Sequence, residues 1–266
     1  MADVSTVLEA GSVRTVSGPW PAPVLVGGAM GWITFALVVD SHSTIAVQRL
    51  LGLVTWGVLV ALLARETPLV RVQTAVVVVF ASLVEYTFSP LLGVYLYRFH
   101  NVPAYVPPGH GLIYLTALAI GRTLFVRAHA RVLVCAVVLV GGSWSLYGVA
   151  LADRRDVLGA FWFVCLAAFL RWGPSRAFYV GAFLAVSYLE LVGTSLGVWA
   201  WQAHDPTGIV SIGNPPSGAA GGYGWFDLAA MVLGPAILVR AAAFSGRLCP
   251  GRLPAAALPP CVDAEH

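Results

Sequence analysis

The chain has 266 residues, of which 59% are hydrophobic and 10% charged, with a mean hydropathy of +0.83. Soluble domains carry about 25% charged residues, so a water-soluble globule is excluded. Nucleic-acid binding is excluded with it, because all 15 cations are arginines and they form no dense basic patch.

Residues 1–20 hold Asp3, Glu9 and Arg14 and have no apolar core before Pro21, which predicts a short cytoplasmic tail and not a signal peptide. Apolar runs then fall at about 22–39, 46–64, 69–89, 110–127, 132–151, 157–171, 176–196 and 224–243. Each approaches the roughly 20 residues that cross a hydrocarbon core as a helix. They are continuously apolar and do not alternate, so helices are expected and barrel strands are not. The fold class is therefore an all-α integral membrane protein of about eight transmembrane helices.

Asp40-Ser41-His42-Ser43 and Asp153-Arg154-Arg155-Asp156 read as tight polar loops, and 90–109 and 200–222 as long loops rich in Pro, Gly and aromatics. Residues 244–266 read as a disordered cytoplasmic tail. Cys135 and Cys165 lie in apolar runs and Cys249 and Cys261 in the tail. Their spacing matches no zinc pattern, and they are taken as bystander thiols.

Arginine placement predicts orientation. With eight spans, the side carrying both tails holds eleven arginines and the other side four: Arg49, Arg98, Arg154 and Arg155. The positive-inside rule puts both termini in the cytoplasm and the two long loops outside. A lysine-free, Ala/Val/Gly-rich chain fits a bacterial inner membrane by association.

An internal repeat organises the chain. Glu85, Gly93-Val94-Tyr95-Leu96-Tyr97 and His100-Asn101 line up with Glu190, Gly197-Val198-Trp199-Ala200-Trp201 and His204-Asp205. Pro107-Pro108 and Pro215-Pro216 follow, and Arg71 and Arg176 each precede their glutamate by fourteen residues. Farther on, His110-Gly111 and Tyr114 match Tyr223-Gly224 and Asp227, with Gly121 and Gly234 at equal offset. Two four-helix repeats are expected, at 21–130 and 131–243. Four spans per repeat makes them parallel in the membrane.

Ionisable residues within spans are costly and usually functional. Glu85, Glu190, Asp227 and His110 all fall near the outer ends of spans 3, 4, 7 and 8, and form the expected catalytic set. A carboxyl in an apolar pocket acts as an acid near neutrality. Tyr95, Tyr97, Tyr114, Trp199, Trp201, Tyr223, His100 and His204 are the expected substrate-binding residues. The aromatics have two readings, stabilisation of a cationic intermediate or an interfacial belt. The second reading of the glutamates is as Arg partners or helix caps, and that of the histidines as ordinary loop or span-start residues. Glu85, His110, Glu190 and Asp227 have the chemistry of metal ligands, but no His-x-x-x-His motif is present, so neither metal nor cofactor is expected. Ser nucleophile and phosphate-loop motifs are absent.

The run Glu85 … Gly93-x-Tyr95-x-Tyr97 … Val102-Pro103-x-x-Val106-Pro107 … Tyr114 resembles a signature of membrane carotenoid hydratases. About thirty residues carry the resemblance. Leu91-Leu92-Gly93 stands where that family has Pro-Phe-Gly, and His110 where it has an apolar residue or Trp. The resemblance implies a polytopic enzyme that adds water across a terminal double bond of a long polyprene in the bilayer. The expected function is thus protonation of an isoprenoid or other lipid double bond by Glu85, Glu190 or Asp227, leading to hydration (a lyase-type reaction) or cyclisation. His110 or a carboxylate would activate water or remove a proton. The alternative is a proton- or cation-coupled transporter with a pseudo-two-fold site.

Overall fold

The computed structural model describes residues 19–248. Within them the chain forms α1 (Ala22–His42), α2 (Ile45–Leu63), α3 (Pro68–Tyr86), β1 (Tyr95–Tyr97), α4 (Val106–Arg122), α5 (Leu124–Ala128), α6 (Ala130–Ala150), α7 (Val157–Trp172), α8 (Arg176–Ser195), β2 (Trp199–Trp201) and α9 (Ala219–Leu248). A π-helical turn, Thr87–Leu91, extends α3 and contains Pro90. Among the described residues six helices are long and apolar enough to cross a membrane, namely α1, α2, α3 with its π turn, α6, α8 and α9. The chain is a multi-pass membrane protein. Leu53, Leu83, Leu139 and Val164 point outward with 64–70% of their surface free, the apolar exterior that lipid requires.

The helix starts are written locally. Thr67, Thr123, Asp156 and Ser175 each accept from the backbone N–H three residues on and cap α3, α5, α7 and α8. Pro68 sits in the first turn of α3, where its missing N–H is harmless.

Four helices make the centre: α4 packs on α8, α3 on α9, and each of α3 and α8 on the helix that follows it. α4 is buried without interruption from His110 to Ala117, as a helix apolar on all sides must be. Small residues permit these crossings. A Cβ on Gly121 would stand 3.0 Å from the backbone of Ala177 in α8, and one on Gly234 would stand 2.6 Å from Gln73 in α3.

The connections sort into two ends. At one, Arg98 donates to the Ser43 carbonyl, and Arg154 donates to the carbonyls of Trp201, Gln202 and Ile212. At the other, Arg71 donates to the carbonyls of Leu63 and Ala64, and Arg122 pairs with Glu66 at 3.1 Å.

Several expectations are corrected. The protein is not purely helical: β1 and β2 pair antiparallel in the register Tyr95↔Trp201, Leu96↔Ala200, Tyr97↔Trp199. The ladder continues through Arg98 N–H to Val198 O at 3.0 Å and Gln202 N–H to Val94 O at 2.9 Å. Three-residue strands contributed by two distant loops leave no alternating pattern long enough to notice in sequence. The run 110–127 is not one helix. It begins at Val106, ends at Arg122, and resumes as α5 after Thr123, whose side chain caps the new start. The last helix begins at Ala219 and runs on to Leu248, past residue 243. The expected tails at 1–18 and 249–266, with Cys249 and Cys261, lie outside the described residues.

Candidate functional site

The ladder lies across the ends of α3 and α8, and its geometry delivers four aromatic donors to two glutamates. Gly93 and Gly197 turn the chain into the strands with φ of 65° and 67°, a conformation that glycine adopts without penalty. After this turn the two outer residues of each strand face inward and the middle one faces away, as period-two geometry requires. Tyr95 and Tyr97 both donate to Glu85 Oε2 at 2.8 Å. Trp199 and Trp201 both donate through Nε1 to Glu190 Oε2 at 3.1 Å. Each glutamate is therefore held by the strand that follows its own helix.

His110, from the first turns of α4, completes the Glu85 side, with Nε2 3.3 Å from Glu85 Oε1. Its Nδ1 lies 3.0 Å from the carbonyl of Val106. A carbonyl only accepts, so Nδ1 carries hydrogen, and a neutral ring then offers Nε2 as an acceptor. Nε2 thus faces the Glu85 carboxyl as an acceptor. A protonated Glu85 would have a proton acceptor within 3.3 Å.

Glu190 has no such partner. It accepts from the two indoles, and Tyr223 Oη lies 3.3 Å from Oε1. Indole N–H is donor-only, so Glu190 Oε2 accepts from both rings. Tyr223 also stacks on His110, centroids 5.1 Å apart and planes 15° apart, and so spans the gap between the two carboxyl groups. Glu85 and His110 are each 6% exposed and Glu190 2%.

These groups face one cavity of about 300 Å³, otherwise walled, apart from Thr55, by apolar and aromatic residues that include Trp32, Phe80, Trp162 and Phe226. Burial first, and then the Glu85 carboxylate, push the phenols of Tyr95 and Tyr97 well above their ordinary 10. They remain hydrogen-bond donors throughout the physiological range.

Of the expected catalytic residues, Glu85, His110 and Glu190 come together. Asp227 does not line the cavity. It is buried one helical turn beyond Tyr223 on α9, and it makes none of the hydrogen bonds to Glu85, Glu190 or His110. Tyr114 likewise lies a turn below His110, packed on Phe178 at 5.3 Å. Of the expected substrate-binding residues, Tyr95, Tyr97, Trp199, Trp201 and Tyr223 line the cavity. His100 and His204 do not. Both are exposed beyond the strands, His100 at a φ of 56° and His204 in an isolated bridge to Ser211.

Sequence reasoning missed Tyr105 and Trp162. Trp162 meets Trp201 edge-on at 5.6 Å, and nothing in its apolar run sets it apart. Tyr105 reaches Asp40 Oδ2 at 2.8 Å, and there a signal existed. An acidic residue at the end of an apolar helix, here fully buried, is unusual enough to demand a partner.

Comparisons with protein-family models, with curated proteins and with solved structures find no match.

Proposed function

We propose that this chain is a membrane-embedded enzyme that protonates a carbon–carbon double bond of an isoprenoid or related lipid, in an eight-span bundle of two parallel repeats. In this reading the bundle sits in a bacterial inner membrane, with the ladder end outside and both termini cytoplasmic. The observation that carries it is the unequal pair of carboxyl groups on one apolar cavity. Glu85 faces the His110 imidazole at 3.3 Å, while Glu190 meets two indole N–H donors and Tyr223 and, among the described residues, no cation.

An alkene has no polar handle, so its activation depends on a strong acid in a dry site and on stabilisation of the cation that forms. Glu85 is the acid, and His110 holds its proton in place. Glu190 supplies fixed negative charge to the carbocation. The faces of Tyr95, Tyr97, Trp199 and Trp201 add cation–π attraction of roughly 0.5–2 kcal/mol each. Two matching half-sites, one kept as acid and the other as anion, are what a duplicated carboxyl site becomes under an asymmetric task.

The test is lipid mass spectrometry on a polyprene-producing host that expresses the chain, beside Glu85→Gln and Glu190→Gln. The expected result is a species heavier by one water, or isomeric with its precursor, that disappears in both variants. An unchanged lipidome despite good expression and a supplied range of polyprenes would overturn the proposal. Proton-dependent flux in liposomes would then be measured.

A further inference from the structure

The ladder closes the cavity toward the loops, and its four rings keep at most 7% of their surface exposed. On the α1 side Ile33, Ala36 and Leu37 are buried, and Trp32 Nε1 donates to Thr55 Oγ1 at 3.0 Å, which ties α1 to α2 at that wall. Of all the residues in the wall only two are exposed. Phe88, on the π turn that extends α3, keeps 38% of its surface, and Trp225, on α9, keeps 48%.

These two rings bracket the first turns of α9. Helices α3 and α9 run antiparallel, since Gly234 meets Gln73 while Phe226 meets Phe80, with ring centroids 5.2 Å apart. At 1.5 Å per residue, Phe88 therefore comes level with the start of α9, where Ala219 lines the cavity. Between Ala219 and Trp225 stands Gly222, also in the wall. Neither Ala219 nor Gly222 carries a side chain beyond Cβ, so the helix forms a low sill between the two exposed rings. Both helices are long and apolar enough to cross a membrane, and Leu91, Leu92 and Val232 are exposed nearby along them. What lies outside the sill is lipid.

We propose that this gap is a lateral window, and that the cavity is filled from the bilayer by the apolar end of a single lipid chain. The inference rests on the reading of the cavity as a lipid site, whatever reaction follows. All cations of the chain are arginines, and none of them lines the wall. An anionic headgroup thus finds no charged partner inside, and the end that enters is the hydrocarbon end. A volume of about 300 Å³ is at the low end for ligand cavities. It takes the end of a long chain and leaves the remainder to pass between Phe88 and Trp225 into the membrane.

The test is photolabelling of the full chain in lipid nanodiscs with two fatty acids of equal length, read by peptide mass spectrometry. One carries a diazirine at its methyl end and the other beside its carboxyl group. The methyl-end probe is expected to label Tyr223 or Phe226 inside the cavity, and the carboxyl-end probe only the exterior. At Gly222 an added Cβ would stand 3.3 Å from the Trp162 ring. Gly222→Leu should therefore lower the cavity label by about tenfold, as overfilling a packed space does. If that variant does not fold, Phe88→Glu, at an exposed position, sets a charge in the chain's path and answers the same question. Methyl-end label confined to outward residues such as Leu139 and Val164, or cavity label unchanged in a folded variant, would overturn the window. The label reads occupancy and not turnover, so cavity label beside an unaltered lipidome would remove the acid reading and leave the window standing.

Discussion

Tyr95 and Trp201 face each other across the ladder with ring centroids 4.4 Å apart, yet their polar atoms serve different carboxyl groups, Tyr95 that of Glu85 and Trp201 that of Glu190. A backbone pairing of three residues per strand thereby fixes the spacing of two half-sites contributed by helices about a hundred residues apart in sequence. Phenols on one side and indoles on the other make the two carboxyl groups chemically different within a common frame.

If Glu85 and His110 share the working proton, His110→Phe should keep the ring contacts with Tyr223 and Phe226 while removing the proton's second site. General acid–base groups contribute about 10²–10⁴-fold, and a loss in that range is expected, with melting close to that of the parent. Product formed in isolated membranes, set beside thermal unfolding in detergent, checks it. Unchanged turnover would remove His110 from the chemistry.

Alkaline stability should follow the three phenols at the ladder end. Tyr95, Tyr97 and Tyr105 are held well above 10 by burial first and then by the carboxylate beside each, Glu85 for the first two and Asp40 for the third. A phenol in the unfolded chain ionises near 10. The folded state's pKa is the raised one, so this stabilisation is complete below about pH 10 and is lost as pH climbs from there toward the folded values. Melting temperature should fall above about pH 10, and less steeply in Tyr97→Phe or Tyr105→Phe. A parallel decline in parent and variants would contradict the assignment.

Gly93→Ala and Gly197→Ala should each cost about 1–2 kcal/mol, the left-handed penalty of an L-residue. At neither position does an added Cβ meet any atom within 4 Å, so the cost is conformational alone. Gly193→Ala differs in kind. Its Cβ would fall inside the Trp199 ring, so that Trp199 must leave Glu190. Indole fluorescence should report a displaced Trp199 in Gly193→Ala and an unmoved one in Gly197→Ala.

Asp156 organises the loop before α9, accepting from Gly213 N–H at 2.8 Å and Ser217 N–H at 2.7 Å while capping α7. Asp156→Ala strands three donors, at about 1–3 kcal/mol for each one left buried and unpaired. Limited proteolysis between residues 202 and 216 should accelerate sharply, and the α4–α8 core should stay intact. A protease-resistant loop in that variant would mean that the ladder, not Asp156, holds the segment.

The helical content was legible because it follows from lengths of apolar chain, and a span is recognised by one-dimensional hydropathy. Glu85, Glu190 and His110 were legible for the converse reason: an ionisable group in an apolar run is costly and therefore conspicuous. Asp227 satisfied the same criterion and yet lies a turn away from the cavity. Hydropathy records that a carboxyl is buried but not which side of its helix faces the site. His100 and His204 were grouped with the glutamates by their equal offsets, although the chain turns outward after each strand and leaves both exposed.

What the linear chain determined by itself is the set of local, additive properties: apolar lengths, helix caps at Thr67, Asp156 and Ser175, and matched glycines ahead of matched aromatic pairs. What only tertiary structure decided is non-local. The pairing of Tyr95 with Trp201, the stacking of His110 from α4 on Tyr223 from α9, and the meeting of Asp40 with Tyr105 join segments tens to more than a hundred residues apart. Their partners are selected by how the four central helices cross. Crossing depends on side-chain packing between helices, to which hydropathy, a property of each segment alone, is blind.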